Sequence, residues 1–283
     1  AATSATSVSS SRLAGPTVAT IFVRRGISRP RAGCPLGRAG RRSRQSTICR
    51  PVSQIVADAV ESYLARLHGR SDAVLEEIER EARAAGLPIV GPEVGALLYV
   101  LARAAGARRI LEVGAAIGYS TLWLARALSE DGLLISFEID EARAVRARTH
   151  LARAGLGARA HVMTGDAQLL VHKVAGPFDL IFNDGDKQQY LPLLDPLVSR
   201  LRSGGLLITD NILWGGAVVP GFAPAADAAG RGPDDPDTLA IARYNERLAA
   251  DPRLVTAFVP LRDGLAISVK VEASAGPAAV SGR

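Results

Sequence analysis

Hard oxygen ligands follow two apolar segments of the chain. Asp184 comes directly after the run Phe178–Asn183, and Asp210 with Asn211 ends the run that starts at Leu206. Either acid alone is better explained as a loop or helix-capping residue. Two acids at neighbouring strand ends, one followed by Asn, instead favour a cation such as Mg²⁺, which takes few protein oxygens and keeps positions open for water or substrate. We therefore predict a divalent-metal site formed by Asp184, Asp210 and Asn211.

A lysine and a tryptophan lie close to these ligands in the sequence. Lys187 follows Asp184 by three residues and is one of three lysines in the chain. A nearby cation disfavours the charged amine, so Lys187, beside Asp184, is a candidate catalytic base; a solvated lysine at a helix start is the plain alternative. Trp214 and the Pro-, Gly- and Asp-rich loop 218–236 are expected to form an acceptor wall and a lid, unless that loop is only a surface connection.

A second group of candidate ligands lies earlier in the chain. Gly114 and Gly118 permit a tight turn after the run that contains Glu112, and their G-x-x-x-G spacing favours a nucleoside with a small zwitterionic tail over NAD. Glu138 ends the next strand, where an acid can accept bonds from both ribose hydroxyls; helix capping suits Asp140 better. A Gly-Asp turn is weak support alone, because turns favour both residues. The predicted nucleoside site comprises Glu112, Gly114, Glu138, Asp166 and Ala167.

Alternating strands and helices must position these residues. Three helices are predicted before the first strand, and strands then alternate with helices, which indicates βαβ units and a mainly parallel sheet. The last two strands are joined by Leu261–Gly264, which is too short for a crossover, so they should pair antiparallel. The predicted fold is α/β, a Rossmann-like doubly wound sheet of seven strands with one antiparallel strand and extra N-terminal helices. The predicted strands are Arg109–Val113, Leu133–Phe137, Ala160–Met163, Phe178–Asn183, Leu206–Asp210, Leu254–Pro260 and Leu265–Val271.

Residues 1–50 differ in composition from the rest of the chain. They contain ten arginines and no lysine or acid, so residues 51–283 carry 24 basic and 28 acidic side chains. We predict a disordered basic tail over 1–50, either an organelle transit peptide or an extension, and one domain over 51–283. Cys34 and Cys49 both lie in this tail, so the domain has no disulfide or cysteine metal site. No apolar run could span a membrane, and a cytoplasmic location is expected, or an organelle if the tail is a transit peptide.

Four segments together resemble the cation-dependent O-methyltransferases, the family of catechol and caffeoyl-CoA O-methyltransferases and bacterial relatives. They read GAAIGYS, FEID, FNDGDKQQY and ITDNILWGG, and the likeness extends over roughly residues 53–271. The resemblance implies a class I methyltransferase fold, metal ligation by Asp184, Asp210 and Asn211, and Lys187 as base. It departs at Asn183 and Gly185, where the family more often has an apolar residue and Ala. The S-adenosylmethionine contacts that it implies are Val90, Gly114, Ser120, Glu138 and Asp166, with Asp184 close to the cofactor.

The leading prediction is an S-adenosylmethionine- and Mg²⁺-dependent O-methyltransferase that acts on a small catechol-like hydroxylated aromatic, with Trp214 at the substrate. The alternative acceptor is a tRNA wobble 5-hydroxyuridine, which the basic tail supports weakly and the acidic domain opposes. A non-catalytic adenine-nucleotide binder ranks lower, because it would not need the group around Asp184. We expect a homodimer and no membrane partner.

Overall fold

A seven-stranded mixed sheet with helices on both faces forms the fold. A computed structural model describes residues 58–67, 72–222 and 232–272 of the chain. The helices are α1 (Asp58–Leu67), α2 (Ala73–Ala85), α3 (Gly91–Ala104), α4 (Tyr119–Ala127), α5 (Glu141–Arg153), α6 (Ala167–Leu170), α7 (Tyr190–Arg200) and α8 (Pro236–Ala249). The strands are β1 (Arg109–Val113), β2 (Leu133–Glu138), β3 (Ala160–Thr164), β4 (Phe178–Asn183), β5 (Leu201–Thr209), β6 (Leu254–Val259) and β7 (Leu265–Lys270).

The strand order places the carboxyl ends that carry the candidate ligands along one edge. The order is β3-β2-β1-β4-β5-β7-β6, with β1 to β5 parallel and β7 antiparallel to both β5 and β6. After β1, the chain adds β2 and β3 on one side of that strand and then β4 and β5 on its other side, so the topological switch point lies between β1 and β4. Ligands of doubly wound sheets bind at such a switch point. The predicted doubly wound sheet with one antiparallel strand is confirmed.

Side chains of alternate residues along each strand pack into two separate apolar layers. On β1, Ile110 packs with the cluster that contains α2 to α5, whereas Leu111 and Val113 pack with the cluster that contains α6 to α8. A parallel sheet covered on both faces has buried, nearly continuous apolar strands. The strand ends are therefore held by a core on each side, which fixes the positions of the residues that follow them.

Local signals set the helix ends that flank this core. Asp72 caps α2 by accepting from the N–H groups of Val74 and Leu75, and Gly86 ends that helix in the left-handed region at φ 65°. Asp235, followed by Pro236 at the first turn, caps α8. These capping residues fix where α2 begins and ends and where α8 begins.

β5 is the strand whose observed length differs from its predicted length by more than one residue. β5 begins at Leu201 rather than Leu206, and its pairing with β4 shifts register between Phe178 and Leu180. The extra part contains Gly204 at φ 70° and exposed positions, so it lacks the apolar pattern by which a strand is recognised.

Some predictions fall outside the described residues. The tail 1–50 does so entirely, and the loop 218–236 does so over 223–231. In the described part of the chain, no helix is long and apolar enough to cross a membrane.

Candidate active site

The turn between β1 and α4 needs both of its predicted glycines. Gly114 and Gly118 have φ values of 96° and 95°, in the region that favours glycine. A Cβ at Gly114 would overlap the carbonyl of Asp184, so the ends of β1 and β4 approach each other at backbone distance. The N–H of Asp184 also donates to the carbonyl of Val113 at 2.9 Å. This turn therefore joins the predicted nucleoside side of the site to the predicted metal side.

Glu112 is a fully buried acid beneath the start of α4. Its Oε2 accepts from the hydroxyls of Thr121 at 2.5 Å and Ser136 at 2.6 Å. Burial raises the pKa of Glu112 to about 7, although hydrogen bonding by Ser120, Ser136 and Thr121 acts in the opposite direction. The other carboxylate oxygen, Oε1, has no hydrogen-bond partner among the described residues. A buried, unpartnered oxygen is costly unless something polar binds it.

Glu138 lies at the end of β2 and is bonded through both oxygens. Oε2 accepts from the N–H of Ala116 at 2.8 Å, and Oε1 accepts from the N–H of Asp140 at 3.0 Å. The guanidinium of Arg143 also contacts Oε1, through Nε at 2.9 Å and through a second nitrogen at 2.7 Å. Glu138 is therefore held rigidly against the β1–α4 turn, and Oε2 keeps accepting capacity beside that turn. Asp140, in agreement with its predicted capping role, caps α5.

The other predicted nucleoside residues surround the same edge of the sheet. Asp166 caps α6 by accepting from the N–H of Gln168 at 2.8 Å, and Ala167 is the first residue of that helix. Val90 is buried at the start of α3, and Ser120 is buried in the first turn of α4. The capping contact shows that a structural role of Asp166 is satisfied without any ligand.

On the other side of the switch point, Lys187 contacts the first predicted metal ligand. Its Nζ donates to Oδ1 of Asp184 at 2.9 Å, to the carbonyl of Gly185 at 3.1 Å and to the hydroxyl of Tyr190 at 2.7 Å. These three donated bonds belong to the charged ammonium. The Tyr190 hydroxyl in turn donates to the carbonyl of Asp210 at 3.0 Å. Lys187 thus contacts Asp184 directly, and the buried Tyr190 links it to the backbone of the second predicted acid.

Asp210 is a buried acid whose charge is poorly compensated. Burial, together with the neighbouring charges of Asp184 and Asp263, raises its pKa to about 8. The N–H of Asn211, which donates to Oδ1 at 2.7 Å, and the ammonium of Lys187 lower it. Two like charges in a low-dielectric site repel strongly, so this arrangement favours a bound cation.

The donor set of this region consists of two carboxylates and one amide. Among residues 58–67, 72–222 and 232–272, no three His, Cys, Asp or Glu side chains are grouped as metal ligands. For the predicted cation, Asp184 and Asp210 would provide two acids, and Asn211 would supply an amide oxygen as the third ligand. A set of few hard oxygens, with positions left for water or substrate, fits Mg²⁺ better than a softer metal.

Trp214 lies next to the same group in a strained turn. Lys187 Nζ lies 5.9 Å from the centre of the Trp214 ring. Asn211 at φ 59° and Trp214 at φ 48° both occupy the left-handed region, which is uncommon for residues other than glycine. The turn places an aromatic wall beside the predicted base.

Two polar residues of this region, Tyr190 and Asp263, were not predicted from the sequence to belong to the site. Tyr190 orients Lys187, and Asp263, in the turn between β6 and β7, accepts from the amide of Asn211 at 3.2 Å. The spacing of three residues between Lys187 and Tyr190 could have suggested their contact. No local pattern links Asp263 to Asn211, which is 52 positions away in the chain.

Comparisons with known proteins identify the family of the chain. The sequence model of the O-methyltransferase family matches residues 68–271. A catechol O-methyltransferase from Niastella koreensis is 37% identical over 170 residues, covering 58% of this chain and 77% of that protein. The crystal structure of an O-methyltransferase from Bacillus cereus with SAH has a TM-score of 0.66 at 34% identity, covering 75% of this chain and 97% of the other. TomG from Streptomyces achromogenes with SAM, an enzyme of tomaymycin synthesis, has a TM-score of 0.67 at 29% identity, covering 76% and 96%.

A doubly wound sheet with an antiparallel β7, and a site at its β1–β4 switch point, defines a class I methyltransferase. The chain belongs to the O-methyltransferase family and is an S-adenosylmethionine-dependent O-methyltransferase.

Proposed function

We propose that this enzyme transfers the methyl group of S-adenosylmethionine to a hydroxyl of a small catechol-like aromatic, with a divalent cation held by Asp184, Asp210 and Asn211. The observation that carries the metal and acceptor assignment is an acid pair, the buried Asp210 and the partly buried Asp184, with Lys187 beside it. Asp210 is almost completely buried, and burial together with the charge of Asp184 raises its pKa to about 8. A site that retains two acids in these surroundings is explained by a cation that binds both.

The methyl donor fits the earlier half of the site. The unpartnered Oε1 of Glu112 matches the ammonium of the methionyl tail. Glu138 offers Oε2 to the ribose hydroxyls, and Asp166 lies where the adenine edge is expected. The close approach of Gly114 to Asp184 would bring the donor next to the acid pair.

The residues around Lys187 supply the proton chemistry. When bound, the cation would act as a Lewis acid toward the acceptor hydroxyl. Lys187 would have to release its ammonium proton to solvent before its neutral amine could take the proton of the acceptor hydroxyl. Tyr190, whose pKa burial raises, stays protonated and holds Lys187 Nζ in place through the 2.7 Å contact. In-line alignment of the acceptor oxygen with the donor methyl then provides much of the acceleration.

The acceptor assignment is supported by the aromatic wall and by a relative. The centre of the Trp214 ring lies 5.9 Å from Lys187 Nζ, where the indole could stack on a flat acceptor ring. The relative from Niastella koreensis is named a catechol O-methyltransferase. A tRNA acceptor would need basic surface, and residues 51–283 carry an excess of four acids.

Methyl transfer from labelled S-adenosylmethionine to a catechol and to unmodified tRNA, with EDTA and with Mg²⁺ added back, tests the proposal. We expect transfer to the catechol, its loss in EDTA and its recovery with Mg²⁺. Asp210→Ala should lower turnover at least 10³-fold, beyond rescue by Mg²⁺, because too few protein ligands remain. Its S-adenosylmethionine affinity by calorimetry should stay within about threefold of the wild type, since the donor contacts lie on earlier strands.

Asp131→Ala is the matched control, because Asp131 is an exposed acid just before β2, at the opposite edge of the sheet. It should keep full activity and the same response to EDTA. Full wild-type activity after rigorous chelation would contradict the role of the cation. Transfer to tRNA but not to catechols would contradict the acceptor.

A further inference from the structure

The turn between β6 and β7 presents a carboxylate to the loop that follows β5. Oδ2 of Asp263 accepts from Nδ2 of Asn211 at 3.2 Å. Oδ1 of Asp263 accepts from the N–H of Gly215 through a short hydrogen bond. One side chain therefore holds both a proposed metal ligand and the residue after Trp214.

The backbone of the same turn holds the loop between these two points. The N–H of Ile212 donates to the carbonyl of Gly264 at 3.1 Å, and the N–H of Leu213 donates to the carbonyl of Asp263 at 3.0 Å. A Cβ at Gly264 would overlap the side chain of Leu213, so the two segments are packed at backbone distance. The left-handed conformations of Asn211 and Trp214 are maintained by this docking, because such conformations persist only where the surroundings determine them.

The chemistry of an amide gives the contact between Asp263 and Asn211 a direction. An asparagine side chain has one oxygen that accepts and one NH₂ group that donates, and a carboxylate can only accept. Asp263 therefore selects the rotamer in which NH₂ faces the turn, because the reversed amide would set oxygen against oxygen. In the selected orientation the amide oxygen of Asn211 points away from Asp263.

We propose that Asp263 is a positioning residue that orients the Asn211 amide so that its oxygen serves the cation bound by Asp184 and Asp210. The inference rests on the proposed function, because it assigns a role relative to the proposed metal. Residues that bond a metal ligand from behind typically change metal affinity 10- to 100-fold when removed. Asp263 also lies within electrostatic reach of the acid pair, since its charge raises the pKa of Asp210.

A reciprocal exchange of the two side chains tests the direction of this bond. The variants are Asp263→Asn, Asn211→Asp and the double variant, with Mg²⁺ affinity measured by calorimetry in the presence of S-adenosylhomocysteine. Asn211→Asp alone sets two carboxylates against each other. Asp263→Asn alone offers Asn211 an amide that can satisfy either of its orientations. We expect each single variant to bind Mg²⁺ at least tenfold more weakly than the wild type.

The double variant restores a donor facing an acceptor, now in the opposite direction. We expect its Mg²⁺ affinity to return to within about threefold of the wild type, a coupling that two independent defects would not produce. Binding of S-adenosylhomocysteine should stay within about threefold in all variants, and Asp131→Asn should match the wild type throughout. A merely structural role of Asp263 would lower the melting temperature and weaken both ligands together.

The outcomes separate this inference from the function on which it rests. If the wild type binds no Mg²⁺ and keeps its activity in EDTA, the proposed function fails and the inference fails with it. If the wild type binds Mg²⁺ and Asp263→Asn binds it equally well, only the inference is overturned. A double variant as weak as the sum of its single defects would also overturn it.

Discussion

The acids at the ends of β1 and β2 are held by hydrogen-bond donors of the protein, whereas those at the ends of β4 and β5 face each other with one lysine beside them. Glu138 accepts from the N–H groups of Ala116 and Asp140 and from Arg143. Asp210 is buried and accepts from the adjacent N–H of Asn211, and burial raises its pKa to about 8. The half of the site around Glu112 and Glu138 (the donor half) is thus largely assembled before any ligand binds. The half around Asp184 and Asp210 (the acceptor half) holds two acids whose mutual repulsion a cation would relieve.

Glu112 is the exception that makes the comparison useful. It lies in the donor half, yet it is fully buried and has an unpartnered oxygen, and burial raises its pKa to about 7. The difference between the halves therefore depends on the partners of each acid, not on which strand bears it. Substitutions that remove single acids can break or refine this distinction.

The largest expected effect in these tests is the pH dependence that Glu112 gives to folding. Its pKa rises from 4.5 to about 7 in the folded protein. Between these values the folded state holds more protons than the unfolded state, so this group lowers stability as pH rises through that window. Relative to the wild type, Glu112→Gln should gain about 3 kcal/mol of unfolding free energy from pH 4.5 to pH 8. Urea unfolding of the ligand-free proteins measures it.

Asp251 provides a control of opposite sign. Arg253 lowers the pKa of Asp251 to about 2, so this group adds stability above its unfolded value of 3.8 and loses it as pH falls toward 2. Asp251→Asn should therefore differ most from the wild type at neutral pH and converge with it in acid. If the unfolding free energies of Glu112→Gln and the wild type change in parallel from pH 4.5 to pH 8, burial does not raise the pKa of Glu112.

A smaller effect, on cofactor binding, is expected at Glu138, because hydrogen-bond donors of the protein already bind both of its carboxylate oxygens. Glu138→Ala should weaken S-adenosylmethionine by about 2 kcal/mol, roughly thirtyfold, through loss of charge-assisted bonds to the ribose. Calorimetry measures the dissociation constant. Glu141→Ala is the control, because Glu141 is an exposed acid three residues away that pairs with Arg148. An unchanged dissociation constant for Glu138→Ala would remove Glu138 from the donor site.

The fold and much of the site follow from short-range sequence patterns. The run Arg109–Val113 is buried at four of its five positions, three of them apolar and the fourth Glu112, and it is a strand with the predicted ends. The predicted acids emerge on one edge because parallel strands end there. What the sequence could not reveal is which groups meet across the chain. Arg143 on Glu138 and Asp263 on Asn211 depend on side-chain geometry and on a turn distant in sequence.

The smallest effect on stability is expected at Asn183, the buried residue that directly precedes Asp184 in the acceptor half. Both polar atoms of its buried amide lack a hydrogen-bond partner among the described residues, although Asn183 lowers the pKa of Tyr244, which burial raises to about 12. Asn183→Leu should therefore raise the free energy of unfolding by about 1 kcal/mol, because burying an unpaired amide is costly. Thr209→Val is the contrast: Thr209 is bonded to the Tyr244 hydroxyl at 2.7 Å, so its loss should destabilise by about 1 kcal/mol. Chemical denaturation of both variants measures whether each substitution raises or lowers the free energy of unfolding. Destabilisation by Asn183→Leu would mean that the amide has a partner, such as an internal water, and that it is bonded through its polar atoms as Glu138 is.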